Sequence, residues 1–496
     1  MDPFTGYGAA GGSIYDQAYN GFWAKSETAI KDNLSRRDLA SRSRMLEITS
    51  PVASALIGRL NDGVIGSGLH YQPLPESEYF QHYGELTKLL KKRLLMASKT
   101  HVLDSRGLWT FQELQDAAFY NMILSGDVFL IRHMRRNNVS GWRLREEFCC
   151  QTPEFMKRSN YNSSVAITKS GHYVVDGVEL SKRTLSPIAY WFTDNPFEGE
   201  KKFYRIPAIG PDGLPIVLHA KLVRRADQYR GIPLLAPVIE AIWGSYAYTK
   251  AELQAAIIEA CMVFAVTTEA YNKTLNPLEG VSQIALDQPI VPEKSDDFGL
   301  DPFGIKNSYL AGSINAVNYI SPGKSVHLAP GEDIKSIDTR RPNSGFGSFI
   351  DEIVMLCGAA LGIPKQILTQ SFDSTYSSAK AATVQFNHTC DKFRRPFIEG
   401  IIKPLFEVFA RETLDLLGVE STAKTNSEAA SLLAIESVWR SGEPPMVLDP
   451  TKELDYYLRA LEAGLISRNE VAQRLFGHDA VEQATAGDSE KTKDEV

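Results

Sequence analysis

Between Pro233 and Phe264 apolar residues recur at Leu235, Ile239, Ile242, Tyr246, Leu253 and Ile257, mostly three or four apart. That is the period of an α-helix. The stretch opens as "QYRGIPLLAPVIEAIW" (Gln228–Trp243), with Pro233 where a helix would begin, a position that does not need the missing N–H. One helix over 233–264 would run about 45–50 Å. No small domain is that thick, so the helix has to be a strut or part of a bundle. The periodicity then vanishes over 268–340, which holds Pro277, Pro289, Pro292, Pro302, Pro322 and Pro330. It returns over 345–361 with Phe349, Ile353, Leu356 and Leu361, and stops at Gly362 and Pro364. A helix, an insertion and a returning helix make a hairpin with a head.

The flanking sequence is mixed. Residues 36–62 read as a helix, followed by the glycine-rich "GVIGSGLHYQP" leading into a strand. Helices are expected over 85–98 and 110–127, the latter with Thr110 and Glu113 at capping-box spacing. Strands follow at "VFLIRHM" and "WRLREEF", and 170–220 is β-rich. The adjacent Cys149 and Cys150 read as strand residues facing opposite sides. "QILTQSFDSTYSSAKAA" is small and polar, a loop leading to a helix N-cap at Ser377 or Ser378. A long helix over 378–416 should kink or split at Pro396 and Pro404. "EAASLLAIESVWRSG" and the residues after it read as helical, and the last residues as a disordered acidic tail. The fold class is α+β, and 496 residues suggest several domains.

Several functions find no support. The formal charge of −7 argues against a tight duplex grip, which needs clustered Lys and Arg. The five cysteines form no C-x-x-C pair, the pattern of reduced thiols in a cytosolic compartment. The N-terminus has no basic region followed by an apolar core, and the best membrane contender, 255–266, is short and contains Glu259. Gly323-Lys324-Ser325 looks like the end of a phosphate loop, but the required glycine is replaced by Asn318. The nine histidines show no metal-ligand spacing. His219, in a strand, reads as a satisfied structural histidine. Glu332–Asp333 reads as a solvated tip after a Pro-Gly turn. No metal, cofactor or catalytic residue is expected, and an architectural or binding protein is.

Several motifs, in order, carry a resemblance. "VLHAKLVRRADQYRGIPLLAPVI", "LAPGEDIKSIDTRRPNSGFGSF" and "CGAALGIPKQILTQSFDSTYSSAKAA" resemble the central signature of the lambda-type portal proteins of tailed bacteriophages. "SRSRMLEITSPVASALIGRLNDGVIGSGLHYQP" and "LQDAAFYNMILSGDVFLIR" look like that family's N-terminal helix, glycine turn and following helix and strand. The likeness covers roughly residues 25–420.

The resemblance implies a non-catalytic ring, of about twelve subunits, at one capsid vertex of the virion, assembled in the host cytoplasm. Double-stranded DNA would pass through it during packaging and ejection. Its partners would be the large terminase, head-completion or connector proteins, and the major capsid and scaffold proteins. The implied parts are a flexible arm (1–24), a wing (25–228), a first stem helix (229–267), a clip (268–340) and a second stem helix (341–363). A tunnel loop (364–378), a long wing helix (379–426), a helical crown (427–480) and a tail (481–496) complete the chain. Lys365, Gln370, Tyr376 and Lys380 become channel candidates, and Arg224, Arg225 and Arg230 stem candidates. Arg394 and Arg395 could bridge subunits. The alternatives are a packaging nuclease or ATPase, which would need a carboxylate cluster or phosphate loop, and a head–tail adaptor ring, a class of shorter chains.

Overall fold

A computed structural model describes residues 29–73, 78–134, 140–158, 165–193, 202–226, 228–261, 265–268, 332–335, 345–371, 376–416, 437–441, 450–466 and 471. The expected arm, most of the clip (including Gly323–Ser325), the tail and much of the crown lie outside these residues.

The helix expected over 36–62 is two helices, α1 (Ala29–Thr49) and α2 (Pro51–Val64). Ser50 takes an extended conformation between them, and Pro51 occupies the first turn of α2. Proline cannot donate to the preceding turn, so α1 must end there. Strand β1 (Leu69–Pro73), α3 (Glu78–Ser98) and α4 (Phe111–Ser125) follow. Thr110 and Glu113 form the reciprocal capping box: the Thr110 N–H donates to Glu113 Oε2 at 2.7 Å, and the Glu113 N–H to Thr110 Oγ1 at 3.3 Å. Two orphan donors are satisfied by this exchange.

Beyond Gly126 the chain enters a three-stranded antiparallel sheet, ordered β10 (Val217–Lys221), β2 (Asp127–Met134), β3 (Ser140–Arg145). Between β3 and β10 lies a six-stranded antiparallel meander: β4 (Lys157–Arg158), β5 (Val165–Ile167), β6 (Tyr173–Val175), β7 (Val178–Leu180), β8 (Pro187–Thr193) and β9 (Phe203–Pro207). The β6–β7 turn is Asp176-Gly177, both with positive φ (45° and 88°), as a tight primed hairpin requires. Phe129, Ile131, Val175, Val178, Tyr190, Phe192 and Val217 form a second core where β2 and β10 meet this meander. Cys149 ends a single 3-10 turn (Glu147–Cys149) rather than lying in a strand, and Cys150 is buried.

A 3-10 turn at Ala236–Val238 leads into α5 (Ile239–Cys261). Its 23 residues span about 35 Å; the α-helix begins at Ile239, after the 3-10 turn, rather than at Pro233, and residues 262–264 lie outside the described residues. α6 (Phe346–Leu361) is the second long apolar helix. Strands β11 (Ala265–Thr268) and β12 (Glu332–Lys335) pair antiparallel, with Thr267 opposite Asp333. Glu332 and Asp333 are therefore strand residues and not a free tip.

After α6 come a short helix α7 (Lys365–Thr369), α8 (Tyr376–Phe397), a π-helical turn (Ile398–Ile402) and α9 (Lys403–Leu416). Two prolines explain the wide turn. Pro396 cannot donate within α8. Pro404 would leave the Gly400 carbonyl unpaired in an α-helix; instead the Lys403 N–H reaches back to Ile398 O. Gly400 lies where a Cβ would come 3.1 Å from Ala220 Cα, so the turn rests directly on β10. Helix expected around Ser437–Ser441 is instead strand β13, paired with β1. Trp439 is buried and edge-on to Tyr71 and Phe406, so aromatic burial outweighs the local helical pattern. α10 (Pro450–Glu462) is the last long helix among the described residues.

The chain divides into two compact units, residues 1–244 with 351–496, and residues 245–350. The first holds the main core, built from α1, α2, α4, α8 and α9 around Leu56, Phe119, Phe397 and Phe406. In the second, Tyr248 stacks on Phe346 and meets Phe349 edge-on, with centroids 5.8 and 4.9 Å apart.

Glycines mark the tightest approach. A Cβ on Gly231 would overlap the Gly126 carbonyl, and one on Gly126 would lie 2.6 Å from Ile232 N. Gly231→Ala should therefore cost about 3 kcal/mol. Gly244→Ala, with nothing within 4 Å in helix α5, should add about 0.5–1 kcal/mol of stability. Thermal unfolding of both variants checks the contrast.

Candidate functional site

The segment after α6 begins with a left-handed glycine. Gly362 has φ 76°, the Ile363 N–H donates to Gly358 O at 2.8 Å, and the Gly362 N–H to Ala359 O at 3.2 Å. This is a Schellman ending. Gly358 is required, because a Cβ there would meet Ile363 O at 2.5 Å. Ile363 is buried, and Thr389 Oγ1 of α8 donates to Gly362 O at 2.9 Å. The chain leaves the core at Pro364 and forms α7.

The channel candidates occupy different environments. Lys365 Nζ pairs with Asp351 Oδ2 at 3.0 Å, both partly exposed. Gln370 closes α7 in a left-handed conformation, φ 55° and ψ 26°. With its amide turned so that the oxygen faces Arg59, as a guanidinium that only donates requires, that oxygen accepts from both terminal nitrogens of Arg59, at 2.8 and 2.9 Å. Lys380 is exposed on α8. Tyr376 begins α8, and its side chain lies outside the described residues.

Arg394 does not reach outward as the sequence reading allowed. Its Nε donates to Val64 O at 3.0 Å and its Nη2 to Gly63 O at 2.9 Å, so a cation caps the negative C-terminal end of α2. Arg395 is exposed.

The stem candidates also separate. Arg224 is exposed and Arg225 half-buried; their N–H groups donate to Gln228 Oε1 at 3.0 and 3.4 Å, which closes a turn. Arg230 is different: it is fully buried. Asp127, the first residue of β2, receives its Nε, and its Nη2 reaches Asp127 Oδ1 at 3.3 Å. Nη1 donates to Asp176 O at 2.5 Å and Cys150 O at 3.1 Å, and Nη2 to Glu147 O at 3.0 Å. A guanidinium committed to five acceptors inside the protein cannot meet DNA, so Arg230 is an internal clamp, not a channel residue.

Arg36 of α1 completes the cluster. It binds Asp176 through Nε at 2.7 Å and pairs with Glu147. Arg37 adds a bond to Asp176 Oδ1 at 2.8 Å. Three cations thus face three carboxylates. Burial opposes ionisation of Asp127, but Arg230, the His219 hydrogen bond and Arg36 hold it well below the usual carboxylate range. Burial opposes ionisation of Asp176 too, yet Arg36, Arg230 and Arg37 hold it at about 2. Burial raises Glu147, with Asp127 adding to it against Arg36 and Arg230. His219 lies 3.3 Å from Asp127 Oδ2 and stacks on Phe129; burial lowers it to about 4, so it is neutral near pH 7. Sequence reasoning missed Arg36, Asp127, Glu147 and Asp176. Two had a visible signal: an Asp opening an apolar strand, and an Asp-Gly hairpin.

Removing one partner leaves the other charge buried and unpaired, so Asp127→Ala should cost about 3–5 kcal/mol in chemical unfolding. Acid should act on the same joint. His219 is lowered from 6.5 to about 4, so the unfolded chain binds its proton first and stability falls as pH drops between those values. Asp176 adds a loss as pH falls through about 2. Glu147, raised, works oppositely, losing stability as pH rises. His219→Gln should flatten the decline in unfolding midpoint between pH 6.5 and 4.

Among the described residues no group of three or more His, Cys, Asp or Glu could hold a metal ion, and no helix is long and apolar enough to cross a membrane.

Comparison with solved structures finds chains of particle necks. One is in the neck of an empty GTA particle computed with C6 symmetry, with 16% identity and TM-score 0.46, covering 88% of this chain and 93% of that one. Another is in the neck of a native GTA particle computed with C12 symmetry, with 15% identity and TM-score 0.45, covering 89% and 93%. An HK97-family phage portal protein from Corynebacterium diphtheriae shows 10% identity and TM-score 0.35, covering 73% and 90%. The family described as phage portal protein, lambda family, matches residues 18–394. That match spans about three quarters of the chain and includes α1 to α6, α7 and most of α8. The chain belongs to the lambda family of phage portal proteins.

Proposed function

We propose that about twelve copies of this chain form the ring at one capsid vertex through which double-stranded DNA is packaged and ejected. The observation that carries this reading, beside family membership, is on the two long helices. Leu253 of α5 and Phe349, Met355 and Leu356 of α6 are exposed in the single chain, Leu253 and Leu356 by 61% and 64%. Apolar side chains around more than one face of a helix call for a partner on that face, and a ring supplies it. The large terminase, head-completion or connector proteins, and the major capsid and scaffold proteins would dock on the assembled ring, in the virion and in the host cytoplasm where it is built.

Portal proteins are structural, and this reading assigns the chain no turnover of its own. A channel that lets DNA slide must hold phosphates weakly. Lys365 suits this role. Its pair with Asp351 is solvent-exposed and worth about 0–1 kcal/mol, so a passing phosphate can compete for it. Lys380 is the second guide, with Arg224 and Arg225 near the stem entry. Gln370 and Arg230, whose polar groups are engaged within the chain, are not part of this set.

Light scattering followed by negative-stain imaging should show a closed ring with a central hole. A monomer or dimer persisting across salt and concentration would count against it, and ATP hydrolysis stimulated by DNA would favour a packaging enzyme. The Lys365→Ala, Lys380→Ala double variant should assemble normally but change the length or retention of packaged DNA.

A further inference from the structure

The turn formed by α7 and Gln370 is tied at its C-terminal corner to helix α2. Gln370 is one of three non-glycine residues with positive φ among the described residues. A glutamine gains nothing from this conformation and carries a cost there. What it meets is Arg59 of α2. A guanidinium only donates, so the Gln370 amide must turn its oxygen toward it, and that oxygen then accepts twice, at 2.8 and 2.9 Å. Asp62 on the same helix stands 3.9 Å from Arg59 Nη1, too far for a close pair.

The other end of the same stretch is tied to the same helix. Arg394 of α8 grips the last carbonyls of α2. A Cβ on Gly63 of α2 would lie 2.6 Å from Cys390 Sγ and from the Phe386 ring, so α8 lies directly against α2 there. Helix α2 thus holds α7 through Gln370 and α8 through Arg394, and Lys365 sits at the start of the turn so fixed.

We infer that Arg59 is a positioning residue for the Lys365–Ser371 turn: its double hydrogen bond to Gln370 keeps the left-handed corner that sets where Lys365 and α7 point. The inference rests on the proposed channel role only for its consequence in DNA handling. The positioning itself is a property of the chain.

Hydrogen exchange of the full-length protein tests it. The Ile367 and Leu368 N–H groups donate to Pro364 O, both at 3.1 Å, and report on the turn. Arg59→Ala and Gln370→Ala should each speed their exchange about fivefold. The double variant should be no faster than either single, because both remove one interaction. Gln370→Glu, which can still accept from Arg59, should exchange as slowly as the parent or more slowly. Gln370→Ala and Gln370→Glu leave α2 intact, so the test survives if Arg59→Ala fails to fold. Parent-like exchange in Gln370→Ala, or additive effects in the double variant, would overturn the inference. Packaged DNA length is read in parallel. Faster exchange with altered DNA supports both the positioning role and the channel reading. Faster exchange with normal DNA supports the positioning role and sinks the channel role of this turn.

Discussion

Two guanidiniums and three carboxylates packed out of water hold together parts of this chain that hydrophobic contacts alone would leave loosely oriented. Arg230 is the centre. It lies ahead of the 3-10 turn that leads into α5 and donates to β2, to the turn after β3 and to the β6–β7 hairpin. Arg36 brings α1 to the same point. Burying such charges is costly, and a well-packed apolar cluster could match their stability. What the ions add is direction. An apolar contact tolerates sliding, whereas a guanidinium with fixed donors accepts one arrangement of its partners.

The glycines beside the cluster serve the same end. Gly126 and Gly231 let two backbones touch, with the Leu222 N–H donating to Gly126 O at 2.8 Å and the Gly231 N–H to Asp127 Oδ2 at 3.2 Å. The entry to α5 is therefore fixed by backbone contact as well as by charge. A subunit that must meet identical neighbours has reason to fix its backbone there, since small rotations decide whether a ring closes.

Helix α2 plays the corresponding part on the other side of the core. Its end is capped by Arg394, its glycine admits α8, and Arg59 reaches Gln370. The two prolines of the α8–α9 region, legible in the sequence as a kink, are resolved by a π turn that seats Gly400 on β10. A helix, a sheet and the polar turn after α6 are thus bound to one core.

Much of this was determined by the sequence itself. Local rules suffice for local structure. Thr110 and Glu113 announce their capping box, Gly362 and Pro364 end α6, and the three-and-four spacing of apolar residues marks α5 and α6. The order of the motifs specifies the family. Tertiary structure decided the rest. Arg230 and Arg394 look like surface cations in sequence and are internal clamps, because their partners lie far away along the chain: Asp127 for Arg230, and the end of α2 for Arg394. Ser437–Ser441 became a strand because β1 and two aromatic rings waited for Trp439. Burial, charge pairing and strand partnering depend on residues brought together only by folding, and no window of sequence contains them.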